Sequence, residues 1–387
     1  MNNIILSFEN GNTYTKEQFD SLAQSYAKEL IDAGYDKTCR LGVYSNCTNL
    51  MKIYGVMSVC SVVVMDYKAT EIERKYYDVD IWDDVLPKPR YNQCNDDEIT
   101  AFVSSGSTDA LRLIPLTRAD HDTEGLDTNI QIHANITDKD STINCIPLWA
   151  CIGFQLFSIC YRTGATYHVL DNVWESWPKV KPTFLVANPS ILLKLMKYCK
   201  VPYETMSIRH IRTVGAPMYK DFKHEVQNYF NCITTDSYGL NETGTISIMH
   251  YPQKHGSVGF VLPNKTVTFD NGEIVVNGYY TGDLGYIDDE GFLFITGRVK
   301  DVINQEGIKI MPYEVEEALV KCGAIDCVVF GYDSVYAVVV GKVDMEQLSK
   351  EIAWYKIPKK VFYVESIPRK GQGKISRKEL LKQYNLD

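Results

Sequence analysis

The chain has 387 residues, 45% of them hydrophobic and 23% charged, which is enough for two or three domains with cores of their own. A formal net charge of -9 and a pI near 5.4 exclude a broad basic surface for nucleic acid, and no apolar run is long enough to span a bilayer, Gly55–Met65 being too short. Eleven cysteines lie scattered without CxxC spacing behind a start with no basic region and no cleavage site, a pattern of reduced thiols in a cytoplasm rather than disulfides or a zinc site.

Thr15 is placed to cap a helix running to Leu30, with Phe19, Leu22, Tyr26, Ala27 and Leu30 at helical spacing and Gly34 ending it. A strand at Leu41–Tyr44, a helix at Asn49–Cys60 and a strand at Val62–Asp66 follow, an alternation that suggests a parallel sheet. Glu71–Asp97 is polar and irregular. In Ile99–Thr117 an apolar strand runs into Ser104-Ser105-Gly106-Ser107-Thr108 and a second strand leaves it. Hydroxyls and free backbone N–H groups in a tight turn form a phosphate cradle, although the same residues also make an ordinary hairpin turn.

Cys145–Cys160 is almost wholly apolar and reads as a core strand followed by a buried helix, with no aspartate inside it. Thr183–Asn188 is a further buried strand, and Pro189-Ser190 starts a helix. Val214-Gly215-Ala216-Pro217 is a turn. In Ile233–Thr245, Tyr238 and Glu242 set an aromatic ring and a carboxylate four residues apart, which in an isolated pentapeptide would be only a turn with a solvated carboxylate. Asn264–Asn277 reads as a small β region turning at Asn271-Gly272.

From Tyr280 to Glu316 a turn carrying Asp283 is followed by two strand-like runs, then Gly297-Arg298-Val299-Lys300-Asp301, a turn-rich loop through Gly307, and a helix opened by Pro312. The charged junction at Lys300 is where two bodies would pivot. The remainder alternates strands (Cys327–Gly331, Tyr336–Val340, Lys360–Tyr363) with helices (Pro312–Lys321, Met345–Trp354) and closes on a basic, glycine-loosened segment, Ile367–Arg377.

Tyr-x-Thr-Gly-Asp, then Gly-Arg-x-Lys-Asp, then Gly-x-Lys-x-x-Pro-x-Glu-Val-Glu, resembles the adenylate-forming superfamily of acyl- and aryl-CoA ligases, peptide-synthetase adenylation domains and luciferases. The resemblance extends, in the family's order, to the Ser104–Thr108 turn, to Pro147–Gly153, to Val214–Pro217, to Tyr238–Glu242 and to Pro-x-x-x-x-Gly-Lys-x-x-Arg at the end of the chain. It departs at Asp109, Leu111 and Arg112, where the family has Gly, Pro and Lys, and at Ala150, where it has His. A carboxylate within about 4–6 Å of a triphosphate opposes binding unless it points away or faces Mg²⁺.

The resemblance implies an α/β fold: a large N-terminal domain (1–297) of parallel-rich sheets flanked by helices plus a β subdomain, and a small mobile α+β domain (298–387) hinged near Lys300. It implies a compact, cytoplasmic, AMP-forming ligase with ATP, Mg²⁺ and CoA or phosphopantetheine as cofactors. The ATP site would comprise Ser104, Ser105, Gly106, Ser107, Thr108 and Arg112 on the phosphates, Gly215, Ala216, Tyr238, Gly239 and Asn241 around adenine and α-phosphate, and Asp283 and Arg298 at the ribose. Glu242 would carry the metal, Lys374 would be the catalytic lysine, Gly307 would line the thiol channel, and Trp149, Ala150 and Gly153 would line the acid pocket. Peptide-synthetase domains place an aspartate in this last region, so its absence favours a carboxylic acid without an α-amine. The expected partners are that small acid and possibly an acyl or peptidyl carrier protein, with neither nucleic acid nor membrane. Two other readings stay open: an amino-acid-activating stand-alone adenylation domain, and a degenerate, non-catalytic nucleotide-binding homologue.

Overall fold

The computed structural model describes residues 3–69, 77–95, 97–105, 111–122, 135–198, 207–216, 218, 220–249, 254, 256–367 and 377–386. The chain divides into two compact units, Met1–Ile246 and Ser247–Asp387.

In the first unit the Thr15 hydroxyl caps the helix Lys16–Asp32, and Gln18 returns the bond to the Thr15 N–H, a reciprocal capping box. Phe19 and Leu30 are fully buried on its inner face. The expected second helix is shorter than its sequence pattern suggests: a 3₁₀ turn at Cys47–Asn49, capped by Asn46, precedes Leu50–Met57. Arg40–Tyr44, Ser61–Met65 and Glu98–Ser105 pair in parallel, and Leu111–Thr117 returns antiparallel along the edge. All five residues of Ser61–Met65 are buried, which explains their unbroken apolar run. The one acid in this interior, Glu98, receives a bidentate Arg40 guanidinium (2.8 and 2.7 Å) and the Ser61 hydroxyl (2.6 Å).

A second sheet, in the order Thr13–Thr15, Ile4–Phe8, Thr166–Val169, Ser141–Ile143, is parallel except at its first pair. A third set, Phe184–Ala187, His210–Thr213 and Ile233–Leu240, is entirely parallel. The helix Cys151–Thr163 is buried along most of its length, as its apolar sequence requires. The strand expected just before it is absent: the chain leaves sheet structure after Ile143 and crosses Cys145–Ala150 in turns.

In the second unit, antiparallel strands Ser257–Val261, Phe292–Arg298, Tyr279–Ile287, Glu273–Val276 and Val267–Asp270 lie in that order. Asn271 and Gly272 both have positive φ (50° and 84°), the two-residue hairpin anticipated there. The segment around Gly307 is a hairpin rather than a loop, Ile303–Gln305 against Ile308–Ile310, turned by Glu306 (φ 52°) and Gly307 (φ 88°). Pro312–Lys321 is helical with proline in its first turn. Ala324–Phe330, Tyr336–Gly341 and Lys360–Val364 form a small sheet, and the helices Met345–Glu351 and Arg377–Gln383 complete the α+β arrangement.

Candidate active site

Four stretches of the first unit carry candidate site residues. The strand His210–Thr213 ends in the Val214-Gly215-Ala216 turn, where Gly215 takes φ 78° and both Gly215 and Ala216 are exposed. The strand Ile233–Leu240 runs beside it and ends in a turn of Asn241, Glu242 and Thr243, from which Gly244–Ile248 leaves. Tyr238, Asn241 and Glu242 are half-buried. Gly239 has a steric reason to be glycine: a Cβ there would lie 2.3 Å from the Gly244 carbonyl oxygen and 2.8 Å from the Thr245 Cα. The Tyr-Gly pair is therefore a close backbone crossing that fixes where the Tyr238 ring and the Glu242 carboxylate emerge. Below it, Asp236 is engaged by the Thr213 hydroxyl and the Lys223 ammonium.

Ser104 and Ser105 are the last residues of their strand, opposite Arg112 and Leu111 across the antiparallel pair, and Arg112 is exposed. A strand on either side of the turn is as anticipated. Gly106, Ser107, Thr108 and Asp109 lie outside the described residues, as does Lys374. Ala150 is 3% exposed and precedes the buried helix, with Trp149 half-buried beside it. Gly153 packs so tightly that a Cβ would sit 2.1 Å from the Pro147 carbonyl oxygen, so this glycine holds the helix against the preceding turn.

In the second unit, Asp283 is 4% exposed and faces Arg298 in cross-strand register, Oδ1 lying 2.8 Å from the guanidinium Nε. The two residues assigned to one sugar are thus an ion pair. The turn before Asp283 is fixed by Gly282 (φ 74°), whose N–H donates to Glu273 at 2.9 Å, and by the Thr281 hydroxyl, which donates to the Ile274 carbonyl. Lys300 is exposed in the single 3₁₀ turn Val299–Asp301. A Cβ at Gly307 would meet nothing within 4 Å, so inside the chain that glycine answers to its positive φ.

Two features escaped sequence reasoning. Arg377, three positions after Lys374, donates to Asp301 (2.8 Å), to Glu316 (2.9 Å) and to the Val329 carbonyl (2.8 Å), while Glu316 also accepts from the Val329 N–H (2.9 Å). The second glutamate of Glu-Val-Glu is therefore the internal anchor of the segment that follows the lysine loop. Arg212 is 3% exposed, donates to Ser237 Oγ and Thr245 Oγ1 (both 2.9 Å), and keeps Nη1 without a partner. Its sequence signal, one basic residue inside an otherwise strand-like run, says nothing about burial. Among the described residues no group of three or more His, Cys, Asp or Glu is arranged to hold a metal.

Parallel strands ending in glycine turns, an aromatic–glycine–carboxylate hairpin and a buried aspartate at a Thr-Gly-Asp turn define a nucleotide-handling α/β protein of the adenylate-forming kind. The AMP-binding enzyme family matches residues 45–284, and the chain belongs to that family. A probable CoA ligase of Humulus lupulus is 26% identical over 358 residues, covering 76% of this chain and 64% of its own length. A 4-coumarate–CoA ligase of Arabidopsis thaliana is 28% identical over 357 residues, covering 74% and 63%. The chain thus spans slightly under two thirds of the length of these curated relatives. The ATP-bound structure of MatB from Rhodopseudomonas palustris superposes with a TM-score of 0.86 at 18% identity, covering 100% of this chain and 96% of that one, a likeness of fold.

Proposed function

We propose that the chain is an ATP-dependent, AMP-forming ligase that activates a carboxylic acid without an α-amine and passes the acyl group to a pantetheine thiol, that of CoA or of a carrier protein. The observation that carries the reading is the hairpin built on Gly239, which presents an aromatic ring and a carboxylate from one rigid backbone crossing. Relatives named CoA ligases support the thiol. The absence of an aspartate from Cys145–Cys160, and the engagement of Asp236 by Lys223 and Thr213, disfavour an ammonium-bearing substrate.

A carboxylate is a poor acyl donor because its leaving group is oxide. Attack of its oxygen on the α-phosphorus of ATP forms a P–O bond to the acid and breaks the bond to pyrophosphate, and the thiol then displaces AMP. Protein groups contribute by position and charge. In this reading Tyr238 stacks on the base, Asp283 accepts from the ribose hydroxyls with Arg298 beside it, and Ser104–Thr108 with Arg112 hold the phosphates. The Glu242 carboxylate would hold a Mg²⁺ that arrives with the nucleotide, and the ion would supply neutralisation of phosphate charge. Lys374 bridges the acid and the α-phosphate as negative charge moves between them. The segment 298–387 acts as a lid pivoting at Lys300, withdrawing Lys374 and bringing the Asn304–Lys309 hairpin, with Gly307 at its tip, to the thiol.

No disulfide joins the described cysteines, which suits the cytoplasm, and no helix among the described residues is long and apolar enough to cross a membrane. The test is pyrophosphate release and hydroxamate-trapped product with ATP over aliphatic and aromatic acids. Lys374→Ala should slow adenylation on the order of a hundred-fold or more, as losing one positioned charge does in comparable sites. Release that no acid stimulates would overturn the reading in favour of a non-catalytic nucleotide-binding protein, and release that the variant leaves intact would remove Lys374 from the catalytic role.

A further inference from the structure

Arg212 poses a problem of charge. A guanidinium carries five N–H donors and is protonated at any physiological pH. Here the Nε–H goes to Ser237 and one Nη2–H to Thr245, both neutral hydroxyls, and Nη1 is buried with no acceptor. Burial pushes the group down to about 9, and among the described residues no carboxylate offsets it. Elsewhere the chain does not behave this way: Arg40 has Glu98, Arg209 has Asp140, and Arg377 has Asp301 and Glu316. An apolar side chain of the same volume would fold about as well, because desolvating an uncompensated charge offsets what its hydrogen bonds contribute. The pattern is that of a receptor whose anion is supplied from outside.

Position narrows the anion's source. Arg212 is the penultimate residue of a parallel strand, and ligands of such sheets bind beyond the carboxyl ends of the strands. Its two partners flank the candidate active-site hairpin, Ser237 immediately before Tyr238-Gly239 and Thr245 immediately after Gly244. A side chain 3% exposed suits the desolvated body of an acid substrate better than a metal-bound triphosphate, whose ion keeps water among its ligands. The edge between Nη1 and the second Nη2–H matches the two oxygens of a carboxylate.

We infer that Arg212 holds a second anionic group on the acid, so that the preferred substrate is a dicarboxylate or an acid of equivalent charge. This rests on the ligase reading above and adds a specificity-determining residue to it.

The test compares wild type, Arg212→Met and Arg212→Lys on succinate against butyrate, adipate against hexanoate, and phthalate against benzoate. Hydroxamate formation and thermal shift with each acid alone are measured side by side. In wild type, kcat/KM should favour the diacid of at least one pair. Arg212→Met should reduce that diacid-to-monoacid ratio on the order of a hundred-fold, the usual consequence of truncating one partner of a buried charge pair, and should abolish any diacid-specific shift. Arg212→Lys should recover part of the ratio, having the charge without the fork.

Equal losses on both members of a pair would overturn the inference, because they would assign Arg212 to the reacting carboxylate or to packing. A rise in KM for ATP common to all acids would also overturn it, in favour of a nucleotide phosphate. If wild type turns over no acid, the ligase reading fails instead, and the thermal-shift arm decides Arg212 alone: absence of a diacid-specific shift removes the proposal.

Discussion

Arg212 and Arg377 are both drawn into the protein and both tie together segments far apart in sequence, yet their surroundings differ in kind. Arg377 meets two carboxylates and a backbone carbonyl, and its bonds run across 76, 61 and 48 positions of the chain. Arg212 meets two hydroxyls and retains an open nitrogen. In the first arrangement the cation is fully met by acids of the chain itself, so its role is to fix one element against others. The second leaves charge over, so its completion lies outside the chain. Charge compensation, more than burial, separates a structural arginine from one held ready for a ligand.

The comparison breaks first on stability. Arg377→Met should destabilise the protein by about 3 kcal/mol, because it strands two acids, Glu316 and Asp301, that are largely shielded from water. Arg212→Met should change stability by only about 1 kcal/mol or less, and in either direction, since no opposite charge is abandoned and the Ser237 hydroxyl already donates to the Thr213 carbonyl. Urea unfolding of the two variants measures both. Equal destabilisation would erase the distinction drawn here.

A third arginine sharpens it. Arg209 lies three residues before Arg212 but faces Asp140 through two 3.0 Å contacts. Burial pushes the Asp140 carboxyl up, but Arg209, the Thr183 hydroxyl and the Thr137 N–H outweigh it and hold the group at about 2. A folded-state value below the unfolded value of about 3.9 means that this stabilisation is fully present above about pH 4 and is lost as pH falls through about 2. Melting temperature followed from pH 5 to about pH 2 should therefore fall less steeply in Asp140→Asn than in wild type. Arg212→Met should leave the acid limb as it is, having no carboxylate partner.

The smallest effect concerns backbone rather than charge. Glu306 adopts φ 52° at the hairpin tip, a conformation that asparagine tolerates better than glutamate. Glu306→Asn should raise stability by roughly 0.5–1 kcal/mol by thermal melt, an uncompensated strain relieved without touching any ion pair. No gain would show that the neighbouring strands, rather than the turn, set the energy of this hairpin.

Several backbone features were legible because their chemistry is local. The Thr15 cap lies within one helical turn of its helix, Asn271-Gly272 within one hairpin, and the turn after Tyr238 within five residues, so each is constrained by neighbours that sequence displays side by side. Pairing Asp283 with Arg298 was half legible: both residues stood out, but their meeting depends on strand register. Two local readings failed for an equally physical reason. Apolar character at Cys145–Ala150 reports burial and not backbone shape, so turns carry what resembled a strand. Conversely, the polar run at Asn304–Lys309 hides a hairpin whose strands are only three residues long.

Alone, then, the order of amino acids determined which backbone motifs form, where helices start, and that glycine is required at sharp turns, since these depend on φ, ψ and hydrogen bonds within a few residues. Only the tertiary structure decided which charges are neutralised. Whether Glu316 finds Arg377, whether Asp140 finds Arg209, and whether Arg212 finds any acid are settled by side chains that folding draws from distant positions into a medium too poor in water to screen them.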